Sequence, residues 1–149
     1  MVDELDKVDR RALVSWCLYD WANSAFPTVI VTFVFATYFT GSVAPDKVTG
    51  TAYWGYTMSL SALAVAIAAP VFGAIADNSG RRKTWLGFFT ALCIFASCVL
   101  WFVEPDPSFV LMALVTAGLA NFVFETGMVF YNAMLPGLVR KSHLGRVSG

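Results

Sequence analysis

The sequence predicts an all-α membrane protein with four transmembrane helices, and three observations carry that expectation. Of its 149 residues 58% are hydrophobic and only 13% charged, whereas a soluble domain carries about a quarter charged. The apolar residues fall in long blocks, not at the three-and-four spacing of an amphipathic soluble helix. Four blocks, residues 16–40, 53–76, 84–103 and 109–135, reach the length of ~20 residues that crosses a hydrocarbon core of about 30 Å. Barrel strands are shorter and alternate in polarity, so a sheet is excluded.

The first block is too long for a cleaved leader and contains Asp20 and Asn23. No small-residue cleavage site follows it, so it reads as a retained helix. Pro27 falls inside it and predicts a kink, because proline cannot donate to the helical ladder. In the second block Ala62, Ala66, Ala69 and Gly73 repeat at the spacing that lets transmembrane helices pack closely. Tyr53, Trp54, Tyr56, Trp85, Trp101 and Phe102 stand near block ends, as an interfacial aromatic belt would. Cys17, Cys93 and Cys98 all lie inside blocks, without metal-ligand spacing, and read as small apolar filler.

Connections are short. Residues 41–51 form one loop, with Gly, Pro and Asp as breakers, and residues 105–108 a tight turn on the same side. Residues 77–83 make the turn at the opposite side. The chain therefore divides into a mixed-charge lead-in at 1–12, a four-helix bundle at 13–139 and a loop at 140–149. Lys7, Arg10, Arg11, Arg81, Arg82, Lys83, Arg140, Lys141 and Arg146 share one side; of ten basic residues only Lys47 is opposite. The positive-inside rule makes the shared side cytoplasmic, with both ends inside, in a multi-pass protein of the cell's inner (plasma) membrane. The net charge of zero carries no signal for nucleic acid, since the charges segregate by membrane face.

The most specific signal is the turn between the second and third blocks. Gly73 stands one turn before a helix end, where it permits close approach of another helix. Asp77 can accept hydrogen bonds from the next helix's free amides, or pair with a basic neighbour. Gly80 allows the positive φ that a tight reversal needs. Arg81, Arg82 and Lys83 then hold the turn at an anionic membrane surface.

In this order and spacing, Gly73, Ile75, Ala76, Asp77, Gly80, Arg81 and Arg82 resemble the signature of the major facilitator superfamily between its second and third helices. Asn78 departs from it, since the family carries a basic residue there. Residues 19–26 (YDWANSAF), 130–136 (FYNAMLP) and 145–149 (GRVSG) narrow the resemblance to the "unknown major facilitator" branch, which includes autophagy-linked vacuolar amino-acid effluxers. The resemblance implies twelve helices in two halves around a midplane site, of which this chain would be the N-terminal part. It also implies that the Asp77–Arg82 turn is a conformational latch rather than part of a binding pocket.

Charged groups inside a bilayer are expensive and usually face a cavity. Asp20, Asn23, Ser24, Pro27 and Thr28 fall on one helical face, and Asn121, Glu125, Met128 and Asn132 on another. At ~1.5 Å rise per residue, Asp20 and Glu125 lie roughly 14–17 Å from the cytoplasmic ends, at matched depth. Two polar faces at one height predict a shared solute or ion cavity containing Asp20, Asn23, Ser24, Asn121, Glu125 and Asn132. The spans hold no cation to neutralise either acid, which favours protonation or cation binding during transport. Nothing points to a cofactor, a metal site or enzymatic chemistry; His143 stands alone in the basic tail.

The function expected is secondary transport of a small solute. Its partners would be that solute, the lipid bilayer and further C-terminal helices of the same polypeptide. Two alternatives remain open on the residues alone. A dimeric four-helix exporter would show weaker basic asymmetry, and a non-transporting scaffold would not need two acids at one depth.

Overall fold

The computed structural model describes residues 10–138, and the lead-in before Arg10 and the basic tail after Leu138, with His143, lie outside the described residues. Among the described residues four helical segments are long and apolar enough to cross a membrane: Val14–Val43, Lys47–Asn78, Arg82–Leu100 and Pro107–Met134. Among the described residues there is no strand.

Span one is wound unevenly. Helix α1 (Arg10–Asn23) stops short of Pro27, and a π-helical stretch follows over Pro27–Phe33. Proline offers no amide to the ladder, and the bonds beyond it slip by one residue, so that the Val34 amide donates to the Val29 carbonyl. A short α-helical stretch, α2 (Val34–Tyr38), leads into a second π-turn at Phe39–Val43. The hydroxyls of Ser24 and Thr28 bond back to the carbonyls of Asp20 and Ser24, both at 2.8 Å, absorbing polar groups of the loosened region.

The loop expected at 41–51 is mostly helix. Helix α3 (Lys47–Ser79) begins directly after Asp46, whose carboxylate accepts from the amides of Val48 and Thr49. That N-cap satisfies donors otherwise orphaned at a helix start, and only residues 44–46 remain as the connection. Those amide bonds hold the Asp46 carboxyl below its ordinary range. Gly50 makes the tight return possible: a Cβ there would lie 2.6 Å from the Ala44 Cβ and 3.2 Å from the Thr40 Cα. With 33 residues α3 is about 50 Å long, well over the bilayer core.

Helix α3 ends at Gly80, which adopts φ 61°, the left-handed C-cap conformation anticipated for the reversal. Helix α4 (Arg82–Leu100) follows immediately. At its far end Asp106 caps a 3-10 turn, Pro107–Phe109, by accepting from the Ser108 amide at 2.8 Å. Helix α5 (Val110–Leu138) completes the bundle and packs along both α3 and α4, which meet each other chiefly near their shared turn.

Two apolar clusters hold the four spans. Near residues 44–46, Phe35, Phe39 and Val43 of span one interlock with Leu100, Val103, Ala113 and Ala117. Near the α3–α4 turn, Ala76, Leu86, Phe89, Phe130 and Tyr131 pack together, with Trp85 and Phe130 stacked at 5.8 Å. Small residues thus act on α5, where Ala113, Ala117 and Ala120 are fully buried. The small-residue stripe expected on α3 points elsewhere: Ala62 and Ala66 are exposed, and nothing lies within 4 Å of a Cβ built on Gly73. The aromatic belt divides likewise. Trp101, Tyr56 and Phe102 are exposed, whereas Trp54 and Trp85 turn inward onto Phe39 and Phe89.

Candidate functional site

The α3–α4 turn is organised around one side chain. Arg82 donates from Nε to the Ala76 carbonyl at 3.0 Å and from Nη1 to the Ala133 carbonyl at 2.7 Å. Its Nη2 reaches the Asp77 carboxylate at 3.1 Å. One guanidinium therefore ties the ends of α3, α4 and α5, using the fork of donors that lysine lacks. Of the two roles open to Asp77, pairing with a basic neighbour is the one observed. The first amides of α4 turn instead to their own backbone, with Thr84 and Trp85 donating to the Arg81 carbonyl. Asp77 is 74% exposed, so the ion pair itself is weak and the carbonyl bonds carry the fastening. Arg81 is exposed beside it.

One turn deeper lies an aromatic clamp between span one and α5. Trp16 stacks on Tyr131 with ring centroids 4.5 Å apart and planes 7° from parallel, and Tyr19 stacks on the same ring at 5.3 Å. The Tyr131 hydroxyl donates to the Trp16 carbonyl at 3.1 Å, and the Trp16 indole reaches back to the Tyr131 carbonyl at 3.5 Å. Tyr19 and Thr90 share a hydrogen bond of 2.7 Å; Thr90 donates to Leu86, so Tyr19 is the donor. The sequence alone does not single out Tyr131: within residues 130–136 an aromatic side chain in an apolar span reads as packing.

The two predicted polar faces meet only in part. Asn23 donates to the Met128 sulfur at 3.1 Å, and Phe26 stacks on Phe124 at 4.8 Å, so span one and α5 touch along those faces. Asn121 turns away to α3, donating to Ser61 Oγ at 3.0 Å, while buried Ser61 donates to the Gly118 carbonyl. Ser24 is occupied with its own helix. Asp20, Glu125 and Asn132 are exposed, at surfaces the four spans do not cover. The reason is geometric: Tyr131 and Phe130 occupy the faces of α5 that close the bundle, which leaves Glu125 and Asn132 on the remaining arc.

Two clefts flank the clamp. A groove of about 910 Å³ runs between span one and α4, lined by Asn23, Phe26, Ile30, Cys93, Cys98 and Trp101 among others, and is almost wholly apolar. A more polar cleft of about 690 Å³ lies at the α3–α4 turn, between Trp16, Tyr131 and the basic run from Arg81 to Lys83. Tyr19 borders both.

The profile of the family described as "Vacuole effluxer Atg22 like" matches residues 35–147. The chain belongs to that family. It is also 34% identical over 137 residues to an uncharacterized transporter of the major facilitator type, YxiO of Bacillus subtilis (strain 168). The alignment covers 90% of this chain and 32% of the bacterial protein, so the chain spans about a third of that relative's length. No solved structure matches. Membership and the likeness to that relative make this multi-pass chain one of the major facilitator type, and its α3–α4 turn carries Gly73, Asp77, Gly80, Arg81 and Arg82. Here it is built as a carbonyl clamp on Arg82.

Proposed function

We propose that this chain is the N-terminal part of a twelve-helix secondary active transporter, moving a small solute with protons as the coupling ion. The solute class we favour is amino acids, on the strength of the family resemblance. The observation that carries the reading is the position of Asp20 and Glu125, two carboxylates exposed on the outside of an otherwise apolar four-helix bundle. A charge facing lipid at mid-depth costs at least about 2.5–3.5 kcal/mol on insertion scales. Those surfaces therefore face a water-filled cavity or further protein, as the inner wall of a larger carrier would.

The apolar groove between span one and α4 supports the same reading, because a further helix of the same polypeptide would fill it. The exposed rings of Trp101, Phe102 and Tyr56 suit contact with the bilayer interface. The basic run at Arg81–Lys83 would lie on the cytoplasmic side of the plasma membrane, together with both ends of the chain. In this reading the Asp77–Arg82 turn latches one access state, while Asp20, Asn23 and Glu125 face the solute and ion pathway.

The test is uptake of a radiolabelled amino-acid mixture into proteoliposomes holding the intact carrier, driven by an imposed pH gradient. Glu125→Gln or Asp20→Asn should abolish accumulation while leaving exchange at equal pH measurable. Full pH-driven accumulation by both variants would remove both acids from the coupling mechanism.

A further inference from the structure

Tyr131 is 2% exposed, and its ring is clasped between Trp16 and Tyr19. The ring cannot swing, but its hydroxyl proton can rotate. The acceptor it now uses is the Trp16 carbonyl. Within α1 that carbonyl also takes the amide of Asp20, four residues on. The hydroxyl thus arrives on the same helical turn as Asp20, whose side chain leans back toward residue 16 as helical side chains do.

We propose that the Tyr131 hydroxyl is a positioning group for Asp20, donating to the Trp16 carbonyl while Asp20 is protonated and turning to the carboxylate when Asp20 ionises. The inference rests on the reading of Asp20 as a coupling group and names what reports its charge to the rest of the bundle. One proton serves two acceptors, and a hydrogen bond to a carboxylate is roughly twice as strong as one to a neutral carbonyl. Ionisation of Asp20 therefore captures the hydroxyl and frees the Trp16 carbonyl, loosening span one from α5. The proton that Asp20 gains or loses is exchanged with the water-filled pathway of the proposed carrier; Tyr131 keeps its own.

The other titratable and charged groups around this point are placed as follows. Cys17 and Tyr19 face the hydroxyl from span one. Cys93 of α4 stands behind Tyr19. Arg81, Arg82 and Lys83 line the cleft that Tyr131 floors. Arg82 is held by two carbonyls and Asp77, so its charge stays near the clamp in both states.

The experiment is an infrared pH titration of the intact carrier in proteoliposomes, with the Asp20 carboxyl bands assigned by their loss in Asp20→Asn. Tyr131→Phe keeps the stacked ring and removes only the hydroxyl. It should displace the Asp20 carboxylate band, because the charged form loses one hydrogen bond. Trp16→Phe perturbs the stack but keeps the backbone carbonyl, and should leave the band in place. Unchanged bands in Tyr131→Phe would overturn the proposal, and so would an equal displacement in Trp16→Phe, which would mean packing alone. These readouts need no transport. If Asp20→Asn keeps pH-driven uptake while Tyr131→Phe shifts the band, the coupling reading falls and the hydroxyl's role at Asp20 stands.

Discussion

Where α3 turns into α4, the helices are joined by atoms with fixed directions: the Arg82 fork on two carbonyls and the Tyr131 hydroxyl on Trp16. At the opposite end, around residues 44–46, span one is held mainly by interlocked apolar side chains centred on Phe39, which is fully buried. Two hydrogen bonds assist there, from Tyr38 to the Val103 carbonyl and from Trp54 to the Val31 carbonyl. The winding of span one follows the same division. Helix α1 faces the directional end, and the second π-turn, Phe39–Val43, lies within the apolar end, where dispersion contacts tolerate a slipped ladder. A contact that depends on shape can slide by fractions of an ångström; one that depends on a donor angle either holds or breaks. In a carrier this makes the turn end the natural place for a switch and the other end a bearing.

Truncation at each end separates these two behaviours. Phe39→Ala removes a fully buried ring and should cost about 3 kcal/mol by cavity formation, the largest single effect expected here. The loss should be graded, with Phe39→Leu retaining most of the stability in a denaturant titration of the reconstituted protein. Arg82→Ala removes two hydrogen bonds from a charged donor to main-chain carbonyls and should cost about 2 kcal/mol. Arg82→Lys should recover less than half, because an ammonium cannot reproduce the fork. Asp77→Asn, which touches only the exposed pair, should barely change stability yet slow turnover at unchanged affinity. Near-complete rescue by lysine would show that charge rather than direction holds the turn end, and the contrast would collapse.

Much of this architecture is legible in the sequence. Block length identifies the four spans, because crossing a bilayer imposes a minimum apolar length that few other demands produce. Gly80 was legible because a reversal this tight needs a residue that tolerates positive φ. Asp46 was read as a loop breaker, although the same residue type caps helices, and the cap won. The shared cavity was the weaker inference. Helical periodicity shows which residues share a face, but not which neighbour that face meets. Asn121 therefore went to Ser61, and Asp20 and Glu125 went outward. The Ala62–Gly73 stripe shows the same limit, since spacing permits close packing without naming a partner. Tyr131 was hidden by its type: only the Trp16 stack and the carbonyl opposite make its hydroxyl conspicuous.

The smallest expected effect concerns the Asp46 cap, at the end where contacts are otherwise apolar. Its carboxyl lies below the ordinary aspartate value, chiefly because the Thr49 amide, then the Thr49 hydroxyl and the Val48 amide, donate to the charged form. A lowered folded-state pKa means the cap's contribution is complete above the unfolded value. It is lost as pH falls through the folded one. The group is fully exposed, so the whole-protein consequence is slight and is best read locally. A carbon-13 titration of the Asp46 carboxyl should give a midpoint below 3.8. The start of α3 should fray only beneath that midpoint, and Asp46→Asn, which keeps an acceptor without the charge, should remove the pH dependence. A midpoint at or above the ordinary value would mean that the cap does not hold in solution. The early start of α3 would then need another cause, leaving this end of the bundle to its apolar contacts alone.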